Sequence, residues 1–248
     1  VVRVCGRSGP GVNGCGRDPA TDASCERCWG AFERSPLVGA VDCIPTIAPC
    51  RMGSVDLPDQ GEVWSARSQI DEVSFENSVI ETFISLPVSG LELTRRVTVD
   101  EAVVRFDYRL GNPLSRPVPY LWAFHPLLTF SHGDRIELPE DVRSVVLSSQ
   151  LGLTDLSSQR VWTGPEPAPG VHLDCAGPWR SDGGPAYVKL FADFSRHSSA
   201  WAALASLEER LVFRFDPKRI PHLGLWITNR GWHGYTHVAL GIGRASCR

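Results

Sequence analysis

The sequence is short of several features that would point to a particular class of protein. Of its 25 basic residues only Lys189 and Lys218 are lysines, and the formal net charge is −3. This charge does not favour a nucleic-acid surface or an anionic membrane as a partner. No apolar run approaches the roughly 20 residues of a membrane helix. No secretory signal is visible, so we expect a cytoplasmic protein with neither a nucleic-acid nor a membrane partner.

The motifs of the common catalytic and cofactor sites are also missing. The chain contains no G-x-S-x-G, H-E-x-x-H, P-loop or G-x-G-x-x-G sequence, which removes the simplest arguments for a serine nucleophile, a catalytic zinc or a nucleotide. His233 and His237 are four residues apart, but Gly234 and Tyr235 between them favour a turn into a strand over a helical metal pair. The sequence therefore predicts no metal site and no cofactor.

The eight cysteines are unevenly distributed, and six of them fall in the first fifty residues. Only Cys25 and Cys28 have the Cys-x-x-Cys spacing, whereas a zinc ribbon needs a second such pair. A disulfide framework needs an oxidising compartment, for which the sequence gives no sign. We therefore interpret residues 1–35, which lack apolar periodicity, as a poorly determined segment with free thiols. A single domain is predicted over residues 36–248.

From about residue 60 the sequence has the pattern of an all-β protein. Residues 91–99 and 102–110 alternate apolar and polar side chains with a period of two, which is a strand signal. Asp100 and Glu101 between them indicate a turn, so the two strands are predicted to form a hairpin. Further strands are predicted at 79–86, 186–194 and 210–217. Short strands separated by Pro- and Gly-rich turns predict a large antiparallel β-sandwich.

Residues 198–211 allow two interpretations. Their composition, "SSAWAALASLEERL", favours a helix. The all-β context favours a strand and a turn instead. The sequence alone leaves both alternatives open.

The segment "WAFHPLLTF" (122–130) combines high apolar content with a single histidine, His125. A histidine on a buried strand is more often a satisfied core residue than a catalyst. Aromatic side chains surround this histidine and also His233 and His237. Aromatic faces beside polar groups suit the CH faces of sugar rings, although the core is the commoner place for tryptophan.

Four segments, taken in chain order, carry a resemblance to a known family. They are "VDCIPTIAP" (41–49), "PDQGEVW" (58–64), "LTRRVTV…YRLGNPLSRPVPYLWAFHPLLTF" (93–130) and "IPHLGLWITNRGWHGYTHVAL" (220–240). Together they resemble the aldose 1-epimerase, or galactose mutarotase-like, superfamily. The resemblance implies a supersandwich fold with a sugar-binding cleft on one sheet. It also implies acid/base opening of a free sugar ring and interconversion of its α and β anomers, with no metal or organic cofactor.

The resemblance assigns roles to individual residues. His125 is implied to be the general acid at the ring oxygen, a task that suits an imidazole because it titrates near neutral pH without a large shift. The partner is implied to be a monosaccharide or a sugar derivative. The predicted substrate-binding residues are Gln60, Trp64, Lys189, Trp226, Asn229 and His237.

Two positions depart from the family pattern. Gly241, in "HVALGIG", stands where the family has its general base, a glutamate, and Gln60 stands where the family has a histidine. Glutamine can hydrogen-bond a sugar hydroxyl but cannot titrate. Substitute bases are hard to find. His237 would lie roughly 13 Å along the strand from Gly241, and loop carboxylates such as Asp59 and Glu62 are usually solvated.

The sequence therefore predicts an aldose 1-epimerase-like enzyme and leaves two alternatives. Because Gly241 cannot accept a proton, the first alternative is a non-catalytic carbohydrate-binding domain on the same fold. The second is the same fold with a different reaction, such as lyase or other isomerase chemistry.

Overall fold

The computed structural model describes residues 32, 39–131, 134–139, 141–142, 145–151 and 184–244. The regular secondary structure of these residues is almost entirely β-strand, which confirms the all-β prediction. None of them belongs to a helix long and apolar enough to span a membrane. The strands are β1 (Ala40–Cys43), β2 (Cys50–Met52), β3 (Val55–Leu57), β4 (Gln69–Ser74), β5 (Val79–Ser85), β6 (Glu92–Asp100), β7 (Val103–Gly111), β8 (Trp122–Thr129), β9 (Arg135–Glu137), β10 (Val146–Leu151), β11 (Ala186–Asp193), β12 (Ala200–Ala205), β13 (Arg210–Phe215), β14 (His222–Asn229) and β15 (Thr236–Arg244).

The strands are arranged in four sheets. The largest has the order β1-β8-β15-β14-β11-β10, and a second sheet runs β4-β5-β6-β7 in sequence order. Two smaller sheets have the orders β13-β12-β9 and β2-β3. The chain forms two compact units, of which the first holds residues 39–41 and 123–244 and the second holds residues 32 and 42–122.

Local patterns in the sequence account for most of these strands. The predicted hairpin is confirmed as β6 and β7, which pair antiparallel from Glu92↔Gly111 to Asp100↔Val103, with Glu101 at a positive φ of 49° in the turn. The helix alternative for residues 198–211 is wrong, because β12 and β13 pair there. Ala202 and Ala203 are fully buried in β12, so packing outweighs the helix propensity of alanine.

The six-stranded sheet buries one of its faces, which we call the core face. Side chains on alternate positions of β11, β14 and β15 point to it, and each is at most 3% exposed. Complete burial of such an aliphatic side chain contributes about 1.5–3 kcal/mol. The core-face residues are Val188, Leu190, Leu223, Leu225, Ile227, Val238, Leu240 and Ile242.

The second unit has its own apolar cluster and a buried carboxylate beside it. The cluster includes Ile44 and Leu86. Glu62 is fully buried, and its carboxylate accepts hydrogen bonds from the backbone N–H groups of Val88 at 2.7 Å and Ser89 at 2.9 Å. A loop carboxylate at this position is expected to be solvated, and that expectation is wrong. Glu62 is buried because it connects the segment after β3, in which it lies, to the loop after β5.

A second buried carboxylate, Asp42, has hydrogen-bond partners in the same unit. It accepts hydrogen bonds from Arg95 Nη1 at 3.0 Å and from Trp122 Nε1 at 3.2 Å. Desolvation raises the pKa of Asp42, and the Arg95 charge opposes that effect. The Arg95 side chain is therefore engaged in a structural ion pair with Asp42.

The predicted boundary between residues 35 and 36 stays a prediction, since almost all of the first 35 residues lie outside those described. Six of the cysteines, at positions 5, 15, 25, 28, 175 and 247, also lie outside them. Cys43 and Cys50 are thiols, and Cys50 donates to Thr46 Oγ1 at 3.4 Å.

Candidate functional site

The second face of the six-stranded sheet carries polar and aromatic side chains, and we call it the site face. Its residues alternate with those of the core face, since successive side chains of a strand point to opposite sides. Strands β11, β14 and β15 are in register across this face, so its residues form four cross-strand rows. The rows are Tyr187–Thr228–His237, Lys189–Trp226–Ala239, Phe191–Gly224–Gly241 and Asp193–His222–Gly243.

Three of the predicted site residues meet on this face. The His125 ring of β8 lies 6.1 Å from the Trp226 ring, measured between centroids. Lys189 is directly opposite Trp226 in the register, and its ammonium group lies 5.6 Å from the centre of the Phe191 ring. An imidazole, an indole and an ammonium group are thereby gathered within two neighbouring rows.

His125 is neutral over most of the physiological pH range. Burial, with a smaller contribution from the positive charge of Lys189, lowers the pKa of His125 from 6.5 to about 4. Our expectation that this imidazole titrates without a large shift is therefore wrong. The cause is the position of the ring on a packed strand, where desolvation disfavours its charged form.

Gly241 leaves the position of the implied general base without a side chain. It is paired with Gly224 on β14, so two glycines lie side by side on the site face. A Cβ atom at position 241 would lie 3.4 Å from the carbonyl oxygen of Gly224 and 3.6 Å from Cδ2 of His125. Both are ordinary contact distances, so a Cβ atom fits at position 241 and would lie beside His125.

His237 lies on the site face, two rows from Gly241. Its ring packs edge-on against Tyr235 at 5.2 Å, and burial lowers its pKa. Nδ1 of His237 and Oγ1 of Thr228, which occupy paired positions, are both buried, and neither has a hydrogen-bond partner among the described residues.

Asn229 does not join this group. It pairs with Ala186 on one side and with Thr236 on the other. Asn229 is three residues from Trp226 along β14. Because successive side chains of a strand point to opposite sides, this odd spacing places Asn229 on the opposite side of the sheet.

Gln60 and Trp64 belong to the second unit, where local contacts hold both side chains. Gln60 Oε1 accepts a hydrogen bond from the Cys43 thiol at 3.0 Å, and Gln60 Nε2 donates to Asp59 Oδ1 at 3.3 Å. The Trp64 indole donates to the Asp59 carbonyl at 3.0 Å, and its ring packs edge-on against Phe32 at 5.3 Å. Their roles toward a ligand stay predictions.

The sequence analysis missed a histidine–carboxylate pair in the last row of the site face. His222 Nδ1 lies 3.8 Å from Asp193 Oδ1, and the backbone N–H of Ser195 donates to the same oxygen at 2.8 Å. Desolvation opposes ionisation of Asp193, but the hydrogen bonds from Ser195 and the charges of His222 and Arg196 lower its pKa. Alternation along "HLGLW" could have identified His222, because it places this residue and Gly224 on the same side as Trp226.

Among the described residues, no group of three or more His, Cys, Asp or Glu side chains is placed to hold a metal ion. The site face therefore offers acid/base groups, one ammonium group and aromatic surfaces. This arrangement suits proton transfer on a small polar ligand that also has apolar faces.

Comparison with known proteins places the chain by its fold. No protein-family model matches the sequence, and no curated protein matches it significantly. Several solved structures are similar to it. A galactose mutarotase-related enzyme of Lactobacillus acidophilus has a TM-score of 0.58 and 11% identity, over 82% of this chain and 70% of that one. A galactose mutarotase-like protein of Lactobacillus casei ATCC 334 has a TM-score of 0.56 and 16% identity, over 82% of this chain and 72% of that one. A protein of Synechocystis sp. PCC 6803 has a TM-score of 0.56 and 13% identity, over 84% of this chain and 68% of that one.

At these identities the similarity establishes the fold. The chain has the all-β fold of galactose mutarotase-like proteins, which confirms the predicted sandwich architecture and the resemblance at the level of the fold.

Proposed function

We propose that this chain is an aldose 1-epimerase-like enzyme, a mutarotase that interconverts the α and β anomers of a free sugar. The observation that carries the proposal is the placement of His125 beside Trp226 and Lys189 on one face of the sheet. The fold shared with a galactose mutarotase-related enzyme supports the same class of substrate.

The site face supplies contacts of the kinds that a sugar ring needs. The Trp226 indole can stack on the CH face of the ring. Lys189 can donate hydrogen bonds to hydroxyl groups. Trp226 and Lys189 lie in one row and the partly exposed His237 in the next, so one ring can reach all three.

His125 supplies the acid. In its imidazolium form it protonates the ring oxygen while a base removes the proton of the C1 hydroxyl. The C1–ring oxygen bond then breaks, and closure on the other face returns both protons. With a pKa of about 4, the imidazolium is a minor species at neutral pH but a strong acid, and this compensates in part for its low population.

A non-catalytic carbohydrate-binding domain on the same fold is the second candidate. It is favoured by Gly241, which cannot accept a proton. It predicts saturable sugar binding without faster exchange of anomers.

One-dimensional proton NMR of freshly dissolved α-D-glucose and α-D-galactose tests the first candidate. We expect the protein to accelerate anomeric exchange and His125→Ala to lose about 10²-fold or more of that acceleration, since one general acid contributes about 10²–10⁴-fold. Lys189→Ala should raise KM, whereas Lys218→Ala, which removes the other, exposed lysine, should behave as the parent protein. Exchange at the buffer rate across a wider panel of sugars would reject the enzyme and leave the binding domain.

A further inference from the structure

The pair formed by His222 and Asp193 occupies the row next to the two glycines of the site face. His222 is directly opposite Gly243, and Gly241 is its diagonal neighbour on β15. Diagonal neighbours across two strands lie about 7–8 Å apart. An imidazole at position 222 is therefore close to the place where the implied carboxylate is missing.

His125 and His222 lie on strands that flank β15, the strand of Gly241. His125 comes from β8 and His222 from β14, with β15 between them. Two strand spacings separate these strands by about 10 Å. A sugar ring hydrogen-bonded on both sides, with each bond about 2.6–3.2 Å long, fits between the two imidazoles. His237 is less suitable, because it lies two rows from Gly241 in the other direction.

The surroundings of His222 leave part of its ring open and give it one anionic neighbour. Its side chain is 27% exposed. From β15 it faces Gly241 and Gly243, which have no side chains. Among the described residues, the charged groups on the β11 side are Asp193, in register with it, Arg196 in the turn beyond, which acts on the same carboxylate, and Lys189, two rows away along β11.

We propose that His222 is the general base of the mutarotase reaction and that Asp193 positions its ring; this inference rests on the proposed function. With Nδ1 held toward Asp193, Nε2 takes the proton of the C1 hydroxyl. The electrons of that O–H bond form the C1 carbonyl, and the C1–ring oxygen bond breaks. The ring oxygen takes a proton from the His125 imidazolium. Ring closure on the other face reverses both transfers, so protons and electrons balance without any co-reactant.

The test uses the intact protein and the NMR exchange assay. We expect His222→Ala to lower kcat about 10²-fold or more and to leave sugar binding within about 3-fold, on the order of the loss of one weak contact. Added imidazole should restore a substantial part of the rate, after subtraction of the imidazole-catalysed rate without protein. Asp193→Asn should lower kcat with KM unchanged, and Asp193→Glu should recover most of the rate.

A second histidine–aspartate pair provides the matched control. His197 Nε2 lies 3.6 Å from Asp141 Oδ2, and the His197 ring packs on Phe194, a fully buried residue. His197→Gln and Asp141→Asn should keep the parent rate.

If the parent protein and His222→Ala both accelerate exchange, the base is another group, and only this inference fails. A loss that imidazole does not restore also overturns it, since the loss is then structural. No acceleration by the parent protein would overturn the proposed function and this inference together.

Discussion

At the scale of single residues, the surroundings of His125 disfavour its charged form. Its ring lies beside Trp226 and close to the charge of Lys189. Both the desolvation and the neighbouring cation disfavour the imidazolium. Protonation of His125 is therefore costly to the folded state, and in the proposed reaction the same environment would strengthen the imidazolium as an acid.

This cost predicts a specific pH dependence of stability. Between pH 6.5 and about 4 the unfolded chain binds a proton at His125 and the folded chain does not. The free energy of unfolding should therefore be highest above pH 6.5 and should fall as the pH falls to about 4. The contribution of this residue is on the order of 3 kcal/mol, at about 1.36 kcal/mol per pKa unit.

Urea unfolding between pH 7 and pH 4 measures this effect. The comparison variant is His125→Gln, which has no titrating side chain. Its stability should fall less than that of the parent protein over the same interval. Parallel curves for the two proteins would contradict the depressed pKa of His125.

At the scale of elements, the buried Glu62 carboxylate fastens the loop after β5 to the segment that follows β3. Gly61 precedes it at a φ of +73° and has no room for a Cβ atom against the backbone of Ile44. This close approach lets the Glu62 N–H donate to the Ile44 carbonyl at 2.7 Å. The position of the carboxylate thus depends on a glycine next to it in sequence.

Replacement of Glu62 by alanine should destabilise the second unit. The N–H groups of Val88 and Ser89 would lose their acceptors, and each buried unsatisfied group costs about 1–3 kcal/mol. We expect a loss of about 2–6 kcal/mol in the free energy of unfolding, measured with urea. Glu208→Ala, at an exposed turn position, should stay within about 0.5 kcal/mol of the parent protein. Equal effects of the two substitutions would show that the Glu62 contacts contribute little.

The elements show where sequence patterns suffice and where they do not. Alternation predicted the β6–β7 hairpin because period two is a property of the strand itself. It left β12 undecided because alanine favours a helix and only packing against the rest of the unit favours a strand. The site divides in the same way. Alternation along β14 is enough to give Asn229 the opposite phase from Trp226, whereas the pairing of Lys189 with Trp226 depends on a register between strands that no short motif specifies.

At the scale of the whole molecule, Gly241 is the position at which substitution can distinguish a catalyst from a binding domain. A Cβ atom at position 241 meets its neighbours at ordinary contact distances, so the backbone there does not exclude a carboxylate-bearing residue. This makes the choice between the two functions experimentally accessible.

Restoration of the carboxylate by Gly241→Glu should have different effects in two backgrounds. In the parent protein we expect less than about a 10-fold change in kcat, because the reaction already has a base. In His222→Ala the same substitution should recover much of the lost rate, and Gly241→Gln, of equal size but unable to titrate, should not. If activity appears only when glutamate is added to an otherwise inactive parent protein, then the natural chain is a binding domain. Both outcomes are measured by the same NMR exchange assay.

The strict alternation of core-face and site-face residues along β14 and β15 has a consequence for how such a protein can evolve. Leu225 and Trp226 are neighbours in the chain, but one is fully buried and the other lies on the site face. Substitutions at every second position can therefore alter the site face while the core stays intact. A one-residue insertion or deletion in either strand would exchange the two faces. Lineages of this fold should accordingly diverge in specificity by point substitution, while selection removes changes of length within these strands.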